Sequence, residues 1–292
     1  MNLWRCGETP LELGQKTYIM GIVNATPDSF SGDGTNARNA IERGKRMIDE
    51  GADILDIGGE STRPGAQPVS LDEELRRVLP VVEGLANAGA QLSVDTTKAE
   101  VARRALEAGA NIVNDISGAT FDPDMLAVCA ASGCGLVLMH LREKPRDMGW
   151  SRAPSQARGD VIEEVLAFWR ARRDAANAVG IGDERLCFDA GFGFGKSVEE
   201  NLELIRRGRE LRAPGFPVLS GTSRKSTIGK ILGDAPVENR LFGTAASVVL
   251  AIQSGADIVR VHDVATMRDV VRVADAVCRG QSDSAKTEHG SN

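Results

Sequence analysis

Gly51-Ala52-Asp53-Ile54 closes one segment of helical pattern and opens a short apolar run. The same step occurs at Gly109-Ala110-Asn111-Ile112 and at Gly255-Ala256-Asp257-Ile258. Glycine can end a helix at positive φ because it has no Cβ to clash there. A run of Ile, Val and Leu after that glycine is typical of a buried parallel strand. The repeat therefore predicts helices that alternate with parallel strands.

Working outward from this repeat, eight apolar runs predict eight strands: Tyr18–Val23, Ile54–Ile57, Gln91–Val94, Ile112–Asn114, Leu136–Met139, Leu186–Phe188, Pro217–Leu219 and Ile258–Val261. The clearest helical patterns are Ala37–Glu50, Leu71–Asn87, Lys98–Ala108, Ser155–Val179, Val198–Leu211 and Val237–Gln253, with a weaker one over Asp122–Ala131. This alternation over 292 residues fits one (β/α)₈ TIM barrel, and a doubly wound open sheet is the alternative. We expect a single domain over residues 1–279, beginning with a hairpin or lead-in, and a disordered tail over 280–292.

Helix caps provide a second local signal. Ser70 with Glu73 three residues later predicts a capping box before Leu71–Asn87. Asp122 followed by Pro123 predicts the start of the weaker helix.

Composition and charge argue against several classes of function. The net charge of −6 and pI of about 5.3 predict no basic surface for nucleic acid. The longest apolar stretches, such as Ala245–Ile252, are too short to span a membrane. Charged residues interrupt the N-terminal segment, which lacks the pattern of a signal peptide. Five cysteines without a CxxC pair predict reduced thiols, so we expect a cytoplasmic protein.

Polar side chains follow every predicted strand. In a TIM barrel, the carboxyl ends of the strands and the loops after them build the active site. The residues in these positions are Asn24, Asp56, Asp95, Asn114, His140, Asp189, Lys225, Arg260 and His262. Eight polar ends in succession predict one pocket.

The chemistry of this pocket divides into two halves. Asp95, Asn114 and Asp189 are rich in hydrogen-bond acceptors and suit a flat heterocycle that carries N–H donors. The cationic side chains suit an anion, because phosphate sites in these barrels often follow strands 7 and 8; they are Arg63, Arg224, Lys225, Arg260 and His262.

Some of these residues have structural alternatives. Asp56 fits an internal ion pair, His140 a packed strand-end histidine, and Glu60 a brace for its loop. The sequence has no HExxH motif, CxxC pair or P-loop, which argues against a dedicated zinc or Walker nucleotide site. A hard cation bound mainly by phosphate oxygens needs few protein ligands, and Asn24 is a candidate.

Two long segments resemble the signatures of the dihydropteroate synthases. The first runs from Gly21 to Phe30 (GIVNATPDSF) and the second from Asp56 to Ala66 (DIGGESTRPGA). Shorter motifs follow in the family's order: Ser93-Val94-Asp95-Thr96, Asn114-Asp115-Ile116-Ser117-Gly118, Gly193-Phe194-Gly195-Lys196, Gly221-Thr222-Ser223-Arg224-Lys225-Ser226 and Arg260-Val261-His262-Asp263. The resemblance covers about residues 17–279.

The resemblance implies an enzyme that joins 6-hydroxymethyl-7,8-dihydropterin pyrophosphate to p-aminobenzoate, giving 7,8-dihydropteroate and pyrophosphate. It implies a pterin pocket of Asp95, Asn114, Ile116, Met139, Asp189 and Lys225. The implied p-aminobenzoate pocket consists of Thr62, Pro64, Phe194, Lys225 and Ser226. Pyrophosphate would meet Asn24 through Mg²⁺, together with Arg63, Arg260 and His262. The loops around Asp28 and Arg63 would close over both substrates.

The same resemblance implies a homodimer and competition by sulfonamides, which mimic p-aminobenzoate. The chain departs from the family's pattern in its Ser31-Gly32-Asp33-Gly34 order, at Ala25 and Ala190, and in the charged stretch Glu143-Lys144-Pro145. Two alternatives share the pterin pocket: a catalytically silent paralogue and a methyltetrahydrofolate methyltransferase. The Ser61-Thr62-Arg63-Pro64 and Ser223-Arg224-Lys225-Ser226 loops argue against the methyltransferase.

Overall fold

The computed structural model describes residues 2–26, 33–61, 66–147 and 159–280, with the side chains of 33–36 and 146 left aside. Its strands are β1 (Leu3–Trp4), β2 (Leu11–Glu12), β3 (Tyr18–Asn24), β4 (Ile54–Gly58), β5 (Gln91–Asp95), β6 (Ile112–Asp115), β7 (Gly135–Met139), β8 (Leu186–Asp189), β9 (Val218–Ser220) and β10 (Ile258–Val261). Strands β3 to β10 pair in parallel in chain order, and β10 pairs with both β9 and β3. The sheet therefore closes into the predicted eight-stranded barrel, and the open-sheet alternative is wrong.

Helices occupy the connections between the barrel strands. They are α1 (Asp33–Asp49), α2 (Leu71–Leu85), α3 (Ala99–Glu107), α4 (Met125–Ser132), α5 (Val161–Ala178), α6 (Val198–Arg206), α7 (Gly208–Arg212), α8 (Ser226–Ile231), α9 (Leu241–Gln253) and α10 (Val264–Cys278). Among the described helices, none combines the length and apolar character that a bilayer-spanning segment requires.

Several helix bounds differ from the predicted ones. The pattern over Val198–Leu211 forms two helices, because the chain breaks at Arg207 between α6 and α7. Residues Val237–Arg240 form a 3₁₀ turn before α9, and the short α8 was not predicted. Helix α5 begins at Val161 with Asp160 as its N-cap, whereas the predicted start at Ser155 lies outside the described residues.

Two predicted caps also differ. Ser70 accepts the backbone N–H of Glu73 at 3.3 Å, but the Glu73 carboxylate binds Arg76 and Arg77. Helix α4 begins at Met125 rather than at Asp122, whose carboxylate accepts the backbone N–H of Ala99 at 2.8 Å. In both places a nearby donor competes for the carboxylate that the local pattern assigned to a helix end.

The interior of the barrel is sealed at its amino-terminal end. Strands β1 and β2 form an antiparallel hairpin, as the sequence predicted for this segment. Trp4 of the hairpin is fully buried, and its indole N–H donates to the carbonyl of Arg185 at 2.9 Å. It packs in one cluster with Met20, Ile54 and Ile258 from the barrel strands. Because this end is plugged, the pocket opens at the carboxyl end.

Candidate active site

The strand register brings the predicted pterin-binding residues together at the carboxyl end of the barrel. Asp95 of β5 pairs with Asn114 of β6, and Met139 of β7 pairs with Asp189 of β8. All four side chains are buried. Neighbouring parallel strands thus place two carboxylates, an amide and a thioether around one opening at the carboxyl end of the barrel. We call this opening the mouth.

A small apolar cluster lies in the same mouth, apart from the main core. It consists of Ile116, Met139 and Phe194, with Leu141 packed against it. These are three of the residues that the resemblance assigned to the pterin ring and to p-aminobenzoate. Apolar faces beside buried acceptors form a surface suited to a flat heterocycle with N–H groups at its edge.

The two carboxylates of the mouth are held in an environment that favours their neutral forms. Burial raises the pKa of Asp95 to about 7, against the opposing effect of the Arg260 guanidinium. Burial also raises the pKa of Asp189, although its Oδ1 accepts the backbone N–H of Gly191 at 2.7 Å. A ligand that donates N–H groups to these oxygens would favour their ionised forms.

Arg260 connects the two halves of the pocket. Its Nε lies 2.5 Å from Asp56 Oδ2, and its Nη2 lies 2.6 Å from Asp95 Oδ2. Asn114 donates its side-chain N–H to the same oxygen of Asp56 at 3.0 Å. Among the described residues, Asp56 Oδ1 has no hydrogen-bond partner. Asp56 therefore forms the internal ion pair that the sequence allowed. It connects Arg260, a candidate for pyrophosphate binding, to Asn114, a candidate for pterin binding.

Lys225 follows β9, the strand that pairs with β10, and lies immediately before α8. Its Nζ is 3.8 Å from the centroid of the Phe194 ring, which is a cation–π distance. Burial lowers the pKa of Lys225 to about 8, while the Asp189 carboxylate acts in the other direction. Gly193 makes this approach possible, because a Cβ there would lie 3.1 Å from the Lys225 Cδ. Ser226 follows as the first residue of α8.

His262 and Arg224 are both engaged with neighbours from adjacent segments. His262 Nδ1 lies 3.0 Å from the Ser223 hydroxyl, and burial lowers the histidine pKa to about 3. The ring is therefore neutral at pH 7 and offers a neutral N–H rather than a charge. Arg224 Nε pairs with Asp263 at 2.9 Å. Arg224 therefore shares its charge with Asp263, the N-cap residue of α10, and its expected role beside an anion stays a prediction.

Not every predicted site residue lies in the described part of the chain. Asp28, Thr62, Arg63 and Pro64 fall outside it, so their expected contacts stay predictions. Asn24 ends β3 with an exposed side chain.

His140 and Glu60 have the structural contacts that the sequence offered as alternatives to ligand binding. His140 is buried, stacks edge-on against Phe168 and lies 3.3 Å from Glu164. Glu60 accepts the backbone N–H of Val69 and the Lys98 ammonium, as expected of a loop brace.

The sequence analysis assigned no role to several polar residues beneath the mouth. Lys196 and Asn201 are buried and bind the backbone of the loop that carries Phe194. Ser223 supports His262, and Asp263 supports Arg224. The signals in the sequence were the Gly193-Phe194-Gly195-Lys196 motif, which contains Lys196, and the closely spaced glycines of this loop, which predict unusual backbone angles.

Together, the fold and the site define a TIM-barrel enzyme with buried acceptors for a flat ring and cations beside them. Residues 20–262 match the pterin binding enzyme family. A dihydropteroate synthase from Synechocystis is 48% identical over 276 residues, which cover 94% of both chains. The chain belongs to the dihydropteroate synthase family.

Solved structures agree with this assignment. The Xanthomonas albilineans dihydropteroate synthase with 4-aminobenzoic acid is 44% identical, with a TM-score of 0.85 over 94% of this chain and 98% of that one. The Burkholderia cenocepacia enzyme complexed with 7,8-dihydropteroate is 42% identical, with a TM-score of 0.85 over 94% and 96%.

Proposed function

We propose that this chain is a transferase of folate biosynthesis that condenses 6-hydroxymethyl-7,8-dihydropterin pyrophosphate with p-aminobenzoate. The products are 7,8-dihydropteroate and pyrophosphate. The observation that carries the proposal is the mouth itself, where Asp95, Asn114 and Asp189 surround a small apolar cluster and Lys225 and Arg260 lie within reach. The related enzymes with bound 4-aminobenzoic acid and 7,8-dihydropteroate support the same ligands here.

The chemistry follows from the charges around the mouth. The displacement would be dissociative: the C–O bond to pyrophosphate breaks ahead of bond formation, and the amine nitrogen of p-aminobenzoate then bonds to the pterin CH₂ carbon. Pyrophosphate leaves with the bonding electrons, and the amine nitrogen loses a proton. Arg260 and the neutral His262 N–H, with Arg63 as predicted from the sequence, would stabilise the charge that builds on the leaving group. The electron-rich dihydropterin ring stabilises the positive charge developing on CH₂.

Each substrate has a distinct set of proposed contacts. Asp95, Asn114 and Asp189 would bind the pterin edge, with Ile116 and Met139 against its face. Phe194, Lys225 and Ser226 would hold p-aminobenzoate, together with Thr62 and Pro64. The loop around Asp28 would help to exclude water, which keeps the amine as the nucleophile.

We also propose Mg²⁺ as the metal ion of the reaction. The described residues contain no cluster of three or more His, Cys, Asp or Glu suited to a metal, and the exposed Asn24 carboxamide is a single hard oxygen donor at the mouth. That donor set fits an ion bound mainly by phosphate oxygens and water. When bound, Mg²⁺ would neutralise charge on the departing pyrophosphate.

We further propose a cytoplasmic homodimer. Helices α9 and α10 pack side by side, and their outer faces expose Phe242, Leu250, Val273 and Val277. Phe242 is 87% exposed and Val277 is 80% exposed, which is unusual for large apolar side chains on a monomer. A second copy of the chain would cover this face.

All five cysteines are free thiols within the described residues, which supports a reducing compartment.

A coupled assay tests the proposed function. Purified protein, Mg²⁺ and both substrates are mixed, and pyrophosphate and dihydropteroate are followed together. We expect matched formation of both products, abolished when p-aminobenzoate is omitted and in Lys225→Ala. Pterin binding without product at any Mg²⁺ concentration would favour the catalytically silent paralogue instead.

A further inference from the structure

Lys196 lies buried beneath the loop that follows β8. It is 2% exposed, and its ammonium group donates to three backbone carbonyl oxygens. The oxygen of Gly191 is at 3.0 Å, and those of Phe194 and His140 are both at 3.4 Å. The first two acceptors belong to the loop itself, and the third belongs to His140, the residue that follows the neighbouring strand β7. One side chain thus ties the loop to the barrel.

Other contacts also hold this loop: the Gly191 N–H donates to Asp189 Oδ1 at 2.7 Å, and the Phe192 side chain is buried in the main core. Gly191, Gly193 and Gly195 all have positive φ and no side chains. On its other side, the Asn201 carboxamide accepts the backbone N–H of Gly193 at 2.7 Å and donates to the carbonyl of Lys196 at 3.2 Å. Phe194 projects from between these two anchors into the apolar cluster with Ile116 and Met139. Lys196 and Asn201 therefore both hold the backbone from which the Phe194 ring projects.

The charges around Lys196 leave its ammonium available to the loop. Two of the acidic side chains that act on Lys196 are already paired, because Arg142 bridges Glu164 at 2.6 Å and Glu200 at 2.9 Å. Burial lowers the pKa of Lys196 to about 7, and Arg142 acts in the same direction, whereas Asp189, Glu164 and Glu200 raise it. A buried ammonium needs hydrogen-bond acceptors in place of water, and here the carbonyl oxygens of Gly191, Phe194 and His140 take that place.

We propose that Lys196 is a positioning residue of the condensation, which holds Phe194 against Lys225 so that the flat ring of the aromatic amine has a fixed wall. This inference rests on the proposed function, in which Phe194 lines the p-aminobenzoate pocket. Lys196 touches neither substrate. It acts through the loop and through the 3.8 Å contact between the Lys225 ammonium and the Phe194 ring.

The effect of Lys196 is selective for one substrate. Asp189 belongs to β8, which pairs on both sides within the barrel, so the strand ladder fixes its backbone, although its Oδ1 also accepts the loop N–H of Gly191 at 2.7 Å. Phe194 has no such support. Loss of the Lys196 hydrogen bonds therefore weakens the p-aminobenzoate pocket more than the pterin pocket.

The test compares Lys196→Met with the wild type in steady-state kinetics, varying each substrate in turn. Methionine keeps much of the volume and removes the donors. We expect the KM for p-aminobenzoate to rise roughly tenfold to a hundredfold, as the loss of hydrogen bonds from a charged group predicts. The KM for the pterin pyrophosphate should change less than about threefold. Lys196→Gln retains a shorter donor and should be intermediate, and it carries the test if the methionine variant does not fold.

Arg212→Met is the matched control. Arg212 pairs with the buried Asp257 at 3.0 Å at the opposite end of the barrel, so this variant loses an ion pair without touching the loop. We expect a lower melting temperature and unchanged KM values. If the Lys196 variants show the same pattern as Arg212→Met, or raise both KM values equally, Lys196 is merely structural and the inference is wrong. A wild type that makes no dihydropteroate would instead refute the proposed function, and this inference with it.

Discussion

At the scale of single residues, the mouth of the barrel contains charges whose ionisation the fold has moved toward neutral pH. Asp95 and Lys225 are the two cases among the proposed substrate-binding residues, since their pKa values lie at about 7 and about 8. Burial is the leading cause for both. Burial raises the pKa of the acid and lowers the pKa of the base, because a low-dielectric site disfavours the charged form of each.

These two pKa values predict a bell-shaped pH profile. Below pH 7, Asp95 gains a proton and becomes a poorer acceptor for the pterin N–H groups. Above pH 8, Lys225 loses its proton and with it the charge that the pocket uses. We expect kcat/KM for the pterin pyrophosphate to fall on both sides of a maximum between pH 7 and 8.

Lys225→Arg provides the control for the alkaline side. Arginine stays charged throughout this range, so the alkaline limb should disappear even if the absolute rate is lower. A wild-type profile that is flat from about pH 6 to 9 would contradict the assignment of these two groups.

Some of the site residues could be predicted from the sequence, and others could not. Asp95, Asn114 and Asp189 were identifiable because polar residues at the ends of parallel strands must meet at one edge of the barrel. The pairing of Arg224 with Asp263 was not, because it joins residues 39 positions apart whose side-chain directions depend on the loop geometry. Lys196 was missed for the same reason, since its backbone acceptors carry no signature in the sequence.

At the scale of elements, the amino-terminal hairpin seals the barrel at the end opposite the site. Trp4 fills the bottom of the interior together with Met20, Ile54 and Ile258. The alternation of β3 to β10 with helices was predictable from the helix–Gly–strand repeat. The break between α6 and α7 at Arg207 was not, because the apolar periodicity continues across it.

Substitutions in the hairpin should lower the stability of the protein without changing how it binds its substrates. Trp4→Ala should lower the free energy of unfolding by about 3–5 kcal/mol, because it leaves a large cavity in a packed interior. Chemical denaturation measures this change. The KM values for both substrates should stay close to those of the wild type, because the hairpin and the mouth lie at opposite ends of the strands. A large rise in KM with little loss of stability would contradict this division of the barrel.

At the scale of the whole molecule, the exposed apolar face on α9 and α10 predicts self-association. Sedimentation of the wild type should give a dimer, and Phe242→Asp combined with Val277→Asp should give a monomer, since a buried unpaired charge is costly at an interface. The matched control is Val179→Asp, because Val179 is 45% exposed at the end of α5 rather than on this face. A wild type that sediments as a monomer at micromolar concentration would contradict the proposed homodimer.

The central claim is that this chain joins the amine nitrogen to the pterin carbon with loss of pyrophosphate. The most direct measurement uses pterin pyrophosphate labelled with ¹⁸O in the bridge between CH₂ and phosphorus, together with ¹⁵N-labelled p-aminobenzoate, and mass spectrometry of both products. We predict that dihydropteroate retains the ¹⁵N and that pyrophosphate retains the ¹⁸O, in equal amounts. ¹⁸O left on a hydroxymethyl pterin, or pyrophosphate formed without an equal amount of ¹⁵N-labelled dihydropteroate, would show that the chain hydrolyses its substrate and would contradict the account.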